Sequence, residues 1–236
     1  MIVANVFRAF ECNIIVYLRN QTDYLVSAWT QRVHATEYYG SVSHYFEHNF
    51  RARYDEFLEL WESAFPGRIV VRLFDNTEML SGDVVTDFAV NGLGIPAEEL
   101  ETCYSSEKKN PSLTREVLEF KRCLNRQGLL PFKELDKLYY GLGQYSLEFG
   151  HRPCISKALY KKVKSMHDEG NRKVAEAVFN REKLFISEES PSDEIFEWNE
   201  SVFERIRSDL MMKIPEHRTL FTKVKWQSLR SLDSGL

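Results

Sequence analysis

The chain has 236 residues, of which 43% are hydrophobic, with a formal net charge of −4 and a pI near 5.9. That length can bury one sizeable core, so a single domain over 1–236 is the default, and the mildly acidic balance carries no nucleic-acid footprint. No apolar run approaches the roughly twenty residues that cross a bilayer, residues 1–10 contain Asn and Arg where a signal peptide is apolar, and Cys12, Cys103, Cys123 and Cys154 form no C-x-x-C pair; together these predict a soluble, cytoplasmic protein with reduced thiols and no membrane span.

Taken in chain order, Ile14 to Leu18 is a continuous β-branched and aromatic run, the pattern of a strand buried on both faces of a parallel sheet. Asn20 to Asp23 supply a turn, and Asp23 or Thr22 can cap the helix that carries Leu25, Val26, Trp29 and Val33. Ser41 to Phe65 reads as one long amphipathic helix stopped by Pro66-Gly67, and Ile69 to Phe74 as a second strand. Ser81 or Asp83 starts the next helix, which ends at Gly92 to Gly94. After a polar loop from Tyr104 to Asn110, Pro111 or Ser112 starts a helix with Leu113, Val117, Leu118, Phe120 and Leu124. Further helices are predicted at Phe132 to Phe149, Ser156 to Arg181 and Phe196 to Met212, with Lys213 to Leu236 an irregular tail anchored by Trp226. Lys108 and Lys109 with Arg115, Lys121 and Arg122 make a local positive region. Two strands are few for an independent doubly wound sheet.

The segment that carries chemistry is Asn13 to Ala35, where Arg19 ends the first strand and Ser27 follows eight positions later. Ligands of open α/β sheets collect outside the carboxyl ends of strands, and a guanidinium fork with a hydroxyl early in a helix suits one phosphate. An Arg paired with a carboxylate, beside a Ser in a surface slot, fits the same spacing.

The run YLRNQTDYLVSAW, Tyr17 to Trp29, resembles the 3′-phosphate-binding segment of sulfotransferases that use 3′-phosphoadenosine 5′-phosphosulfate (PAPS). The resemblance continues through WESAFPGRIVVRLFD and VVTDFAVNGLGIP, through NPSLTREVLEFKRCLN, similar to a helix of bacterial and Golgi-type carbohydrate sulfotransferases, and through NRKVAEAVFNREKLF, where an Asn (Asn171) begins a late helix. It covers roughly residues 12–190. It implies an α/β, sulfotransferase-like P-loop-type fold, helix-rich with a small parallel sheet. It also implies PAPS as donor, no metal, Arg19 and Ser27 as ligands of the nucleotide 3′-phosphate, and a hydroxyl acceptor, most simply on a carbohydrate. One departure is Gln21, where the family usually has Pro. Another is that no G-x-x-x-x-G-K-[ST] sequence occurs and only eighteen residues precede Arg19, so the fold is expected to be N-terminally incomplete, prone to associate, and silent on the catalytic base. The alternative is a non-catalytic or degenerate module of the same fold that binds a nucleotide or partner.

Other candidates lie outside that segment's core. His34 follows Ser27 by two turns and is a candidate substrate or nucleotide contact. Lys108, Lys109 and Asn110 form a polar stretch that could line a nucleotide or an anionic glycan. His44-Tyr45-Phe46-Glu47-His48 reads as H-x-x-E-H, which on a helix brings two His to one face, the signature of one class of zinc protease. Zinc catalysis needs three protein ligands, and no third is identifiable in the sequence.

Overall fold

A computed structural model describes residues 5–7, 9–100, 112–130, 135–186 and 196–230. Among them the chain is helix-rich with one two-stranded parallel sheet, an α/β arrangement. Backbone contacts divide it into two compact units: 1–24, 51–105 and 160–190 form the first, and 25–50, 106–159 and 191–236 the second. No helix among the described residues is long and apolar enough to cross a membrane.

The first unit contains β1 (Ile14–Leu18) and β2 (Ile69–Leu73), paired from Ile14 opposite Ile69 to Leu18 opposite Leu73. Side chains alternate across a sheet, so Val16 and Leu18 share a face with Ile69, Val71 and Leu73. That face packs on Leu58 of α3 (Tyr54–Ala64) and on Val174 and Ala175 of α7 (Lys157–Phe179), with Leu184 and Phe185 closing the cluster. Burial on both faces is not observed. Only Leu18 of β1 is buried, because β2 is its one strand neighbour among the described residues.

The other face carries Tyr17 and Arg72, side by side in the register, and both turn to one carboxylate. Asp87 ends α4 (Val84–Asp87), a short helix capped by Asp83, whose side chain accepts from the Thr86 N–H at 2.8 Å; one π-helical turn, Phe88–Gly92, follows. Asp87 is fully buried and accepts five hydrogen bonds: Tyr17 hydroxyl at 2.6 Å, Arg72 Nε at 2.7 Å and Nη2 at 2.5 Å, Leu80 N–H at 2.9 Å and Asn91 Nδ2 at 3.1 Å. Burial alone would raise this carboxyl. The Arg72 guanidinium and Tyr17 hydroxyl outweigh it and hold the group down at about 2, while burial and the Asp87 charge push the Tyr17 phenol up to about 12.

The second unit is organised by α5 (Arg115–Arg126), whose residues from Arg115 to Asn125 are all buried. Its apolar side chains Val117, Leu118, Phe120 and Leu124 meet Trp29 and Val33 of α1 (Gln21–Ala35), Leu138 and Leu142 of α6 (Leu135–Ser146), and Phe203, Ile206 and Leu210 of α8 (Glu200–Lys213). Its polar side chains meet the last turn of α1 and the backbone after it. Lys121 Nζ donates to the carbonyls of Val33 and Thr36 and to Asn125 Oδ1, Asn125 Nδ2 donates to Val33 and Tyr38, and Arg122 Nε to Tyr39. The local positive region expected at Arg115, Lys121 and Arg122 is therefore not on the surface, since all three are buried and engaged internally.

Several boundaries differ from the sequence reading. The helix expected over Ser41 to Phe65 is two, α2 (Val42–His48) and α3, because its apolar positions serve different cores: Val42 and Tyr45 pack in the second unit, Tyr54 and Leu58 in the first. Ser41 caps α2, accepting from the His44 N–H at 3.2 Å. The α5 helix starts after Thr114 rather than at Pro111 or Ser112. The tail is not irregular throughout: a turn at Pro215–His217 leads into α9 (Arg218–Lys223), and Phe221 and Val224 are buried while Trp226 is 37% exposed. Asn171 lies well inside α7 and begins no helix.

The Asp87 site has a definite pH dependence. Its folded value lies below the ordinary 3.8, so its stabilisation is present above pH 4 and is lost as pH falls towards 2. Asp87→Asn is expected to cost about 3 kcal/mol at pH 7, because it leaves Arg72 without its counter-charge, and to flatten the fall in melting temperature between pH 4 and 2. Thermal melts of both proteins across that range check it.

Candidate functional site

Arg19 follows the last residue of β1, at the carboxyl end of the sheet. Its carbonyl accepts the Tyr54 hydroxyl at 2.6 Å, which fixes the backbone, and its guanidinium carbon lies 5.4 Å from the centre of the Phe74 ring just beyond β2. The side chain is half-buried, and among the described residues no carboxylate pairs with it. Its one described side-chain contact is thus the Phe74 ring.

Asn20, rather than Thr22 or Asp23, caps α1: its Oδ1 accepts from the Thr22 N–H at 3.0 Å and the Thr22 hydroxyl at 2.7 Å. Gln21 is then the first helical residue, the position where Pro is also favoured. Its side chain does what no Pro could. The buried Gln21 amide exchanges two hydrogen bonds with Asn171 of α7, at 2.6 and 2.9 Å, and so ties the start of α1 to that helix. Beside this pair lies a cleft of about 300 Å³, lined by Asn20, Gln21 and Thr22 on one side and by Lys164, Asp168 and Asn171 on the other. The last three recur at i, i+4, i+7 on one face of α7. The sequence reading did not single out Lys164 or Asp168; the signal available was that helical spacing of charged and amide side chains.

Ser27 is exposed on α1, nearly two turns from the helix start, and belongs to the second unit, whereas Arg19 belongs to the first. His34 is buried in the second unit, with Nε2 at 2.9 Å from the Tyr139 carbonyl and its ring stacked on that of Tyr139 at 3.8 Å. Burial, aided by the Lys121 charge, lowers it to about 4, so it is held neutral as a packing group. Lys108, Lys109 and Asn110 lie outside the described residues. On α2 the rings of His44 and His48 stack at 4.2 Å; His44 Nδ1 is 3.0 Å from the Tyr38 hydroxyl, and His48 Nδ1 is 3.0 Å from the His44 carbonyl. Glu47 is exposed, and among the described residues no group of three His, Cys, Asp or Glu side chains could hold a metal ion. Cys12, Cys123 and Cys154 are free thiols, and burial pushes Cys123 up to about 12.

No family model, no curated protein and no solved structure matches this chain.

The amide pair can be measured directly. Gln21→Ala and Asn171→Ala each leave a partner amide unsatisfied and are expected to destabilise by about 1–2 kcal/mol, with the double variant costing less than the sum of the two. Denaturant melts of the three variants give the coupling; strict additivity would mean that the pair does not act as a unit.

Proposed function

We propose that this protein is sulfotransferase-like, serving the transfer of a sulfuryl group from PAPS to a hydroxyl, most simply of a carbohydrate, with Arg19 and Ser27 as the ligands of the nucleotide 3′-phosphate. The observation that carries the reading is Arg19: a guanidinium at the carboxyl end of a parallel strand, without a carboxylate partner among the described residues, next to the start of a 15-residue helix. An unpaired, half-buried guanidinium in that position is matched to a dianion, because a phosphate restores the counter-charge and accepts paired hydrogen bonds. The Ser27 hydroxyl is exposed on α1. The order of the later segments along the chain supports the same reading, as does the parallel pairing of β1 with β2.

Sulfuryl transfer, like phosphoryl transfer, rests on positioning and charge stabilisation. The sequence holds no G-x-x-x-x-G-K-[ST] cradle for the 5′-phosphosulfate, and that favours a second reading, binding without turnover by this chain. Incubation of the chain with PAPS and an oligosaccharide separates the two: sulfated product that disappears in Arg19→Ala establishes the enzyme, and binding without product establishes the module.

The nucleotide assignment has its own test. Adenosine 3′,5′-bisphosphate is expected to bind more tightly than AMP, because only the former carries the phosphate that Arg19 and Ser27 address. Arg19→Ala is expected to weaken it by about tenfold or more, since a charge-assisted hydrogen bond contributes about 1.5–3 kcal/mol. Equal affinities for the two nucleotides by calorimetry would remove the assignment.

A further inference from the structure

A second cluster of reactive groups lies within the second unit, at the start of α5. Arg115 and Glu116, its first two residues, hold the loop 151–154. The Arg115 N–H donates to the His151 carbonyl at 3.0 Å, and Arg115 Nη2 donates to the Arg152 carbonyl at 3.3 Å and to Cys154 Sγ at 2.7 Å. His151 Nδ1 sits 2.5 Å from Glu116 Oε1. The two anchors are buried, 9% and 6% exposed, whereas the His151 side chain is 54% exposed and Cys154 is exposed. Two buried atoms of this cluster, Arg115 Nε and Glu116 Oε2, have no hydrogen-bond partner among the described residues. Buried polar atoms are normally hydrogen-bonded, so these two leave room for a further polar partner beside the loop.

The chemistry of the parts is complementary. A guanidinium that donates to a sulfur stabilises the negative charge that develops there as the thiol reacts. A carboxylate that takes the Nδ1 proton of a His fixes its tautomer and leaves Nε2 as the basic nitrogen, on a half-exposed ring three residues from the thiol in the chain. Pro153 between them restricts that loop.

We propose that Cys154 is a reactive thiol that exchanges with low-molecular-weight disulfides, with Arg115 stabilising its sulfur and His151, oriented by Glu116, handling its proton. The Cys154 S–H proton passes to His151 Nε2. The thiolate then attacks one sulfur of R–S–S–R, a Cys154–S–S–R bond forms as the S–S bond of the reagent breaks, and the departing R–S⁻ takes the proton back as R–SH. Cys154 is oxidised to the mixed disulfide and one sulfur of the reagent is reduced, with no other co-reactant.

The test uses the full chain and 2-hydroxyethyl disulfide, an uncharged reagent, at pH 7, with formation of the Cys154 adduct followed by peptide mass spectrometry. The reference is the pentapeptide His-Arg-Pro-Cys-Ile, which carries the loop residues 151–155 without Arg115 and Glu116. Cys154 is expected to react at least about fivefold faster than the peptide. A rate equal to or below the peptide's overturns the proposal. Glu116→Gln, which keeps shape and removes charge, is expected to slow Cys154 by at least about twofold while Cys12 in the first unit keeps its rate; a folded Glu116→Gln protein with an unchanged Cys154 rate overturns the His151 role.

Discussion

The carboxylate of Asp87 is the contact on which the candidate nucleotide site depends. A two-stranded parallel sheet is marginal by itself, because half of its backbone groups face no strand and one face lacks a large apolar layer. Asp87 supplies what the sheet lacks. It takes a hydroxyl from β1 and a guanidinium from β2, and so clamps the strands at one register pair, one residue before Leu18 and Leu73. Arg19 and Phe74 leave the sheet immediately beyond that clamp, and their stacked contact inherits the strand alignment. Breaking one partner of a buried pair leaves a charge in a dry site, so the effect is expected to reach the loop ends as well as the sheet.

The second unit solves the same problem with the signs reversed. After α1 the chain turns through residues 36–40 without regular structure, and its carbonyls would be buried without donors. The side chains of Lys121, Arg122 and Asn125 on one face of α5 provide those donors, and Trp29 Nε1 donates to the Gly40 carbonyl at 2.9 Å. The three acceptors around Lys121 match the three N–H bonds of an ammonium. Burial nevertheless pushes that group down to about 7, below its ordinary 10.5, so the unfolded chain binds the proton more readily between those values and this side chain costs stability at neutral and lower pH. Such a cost is tolerated because removing the donors would orphan several carbonyls at once.

Local patterns made part of this legible. The apolar runs located both strands, the Asp83 cap and the Gly-rich end located α4 and its π-turn, and the helical periods located α6, α7 and α8. Arg19 was visible as the residue ending a strand. What periodicity could not convey was the destination of each face. Phe46 and Leu58 look alike on a helical wheel, yet they serve different units, which is why one expected helix is two. Asp87 reads as an ordinary polar position of an amphipathic helix, and its role exists only through Tyr17 and Arg72, 70 and 15 residues away. Gln21 and Asn171 are separated by 150 residues, so neither announces the other. Likewise, the cationic residues of α5 look like a surface patch until the carbonyls they meet are known.

The guanidinium groups of the first unit meet two kinds of partner. Arg72 is neutralised by Asp87, Arg181 by Glu78 at 2.7 Å, and Arg53 by Glu56 at 3.0 Å with Asp55 alongside. Each of these pairs joins elements of the unit or tightens a helix start, and each is complete within the fold. Arg19 is held by its backbone and by the face of Phe74, neither of which offsets its charge. A cation–π contact of about 1 kcal/mol or less at a half-exposed position orients a guanidinium without satisfying its five N–H donors. Among the described residues the fold pairs Arg72, Arg181 and Arg53 with carboxylates and gives Arg19, at the end of its sheet, an aromatic face in place of a counter-charge.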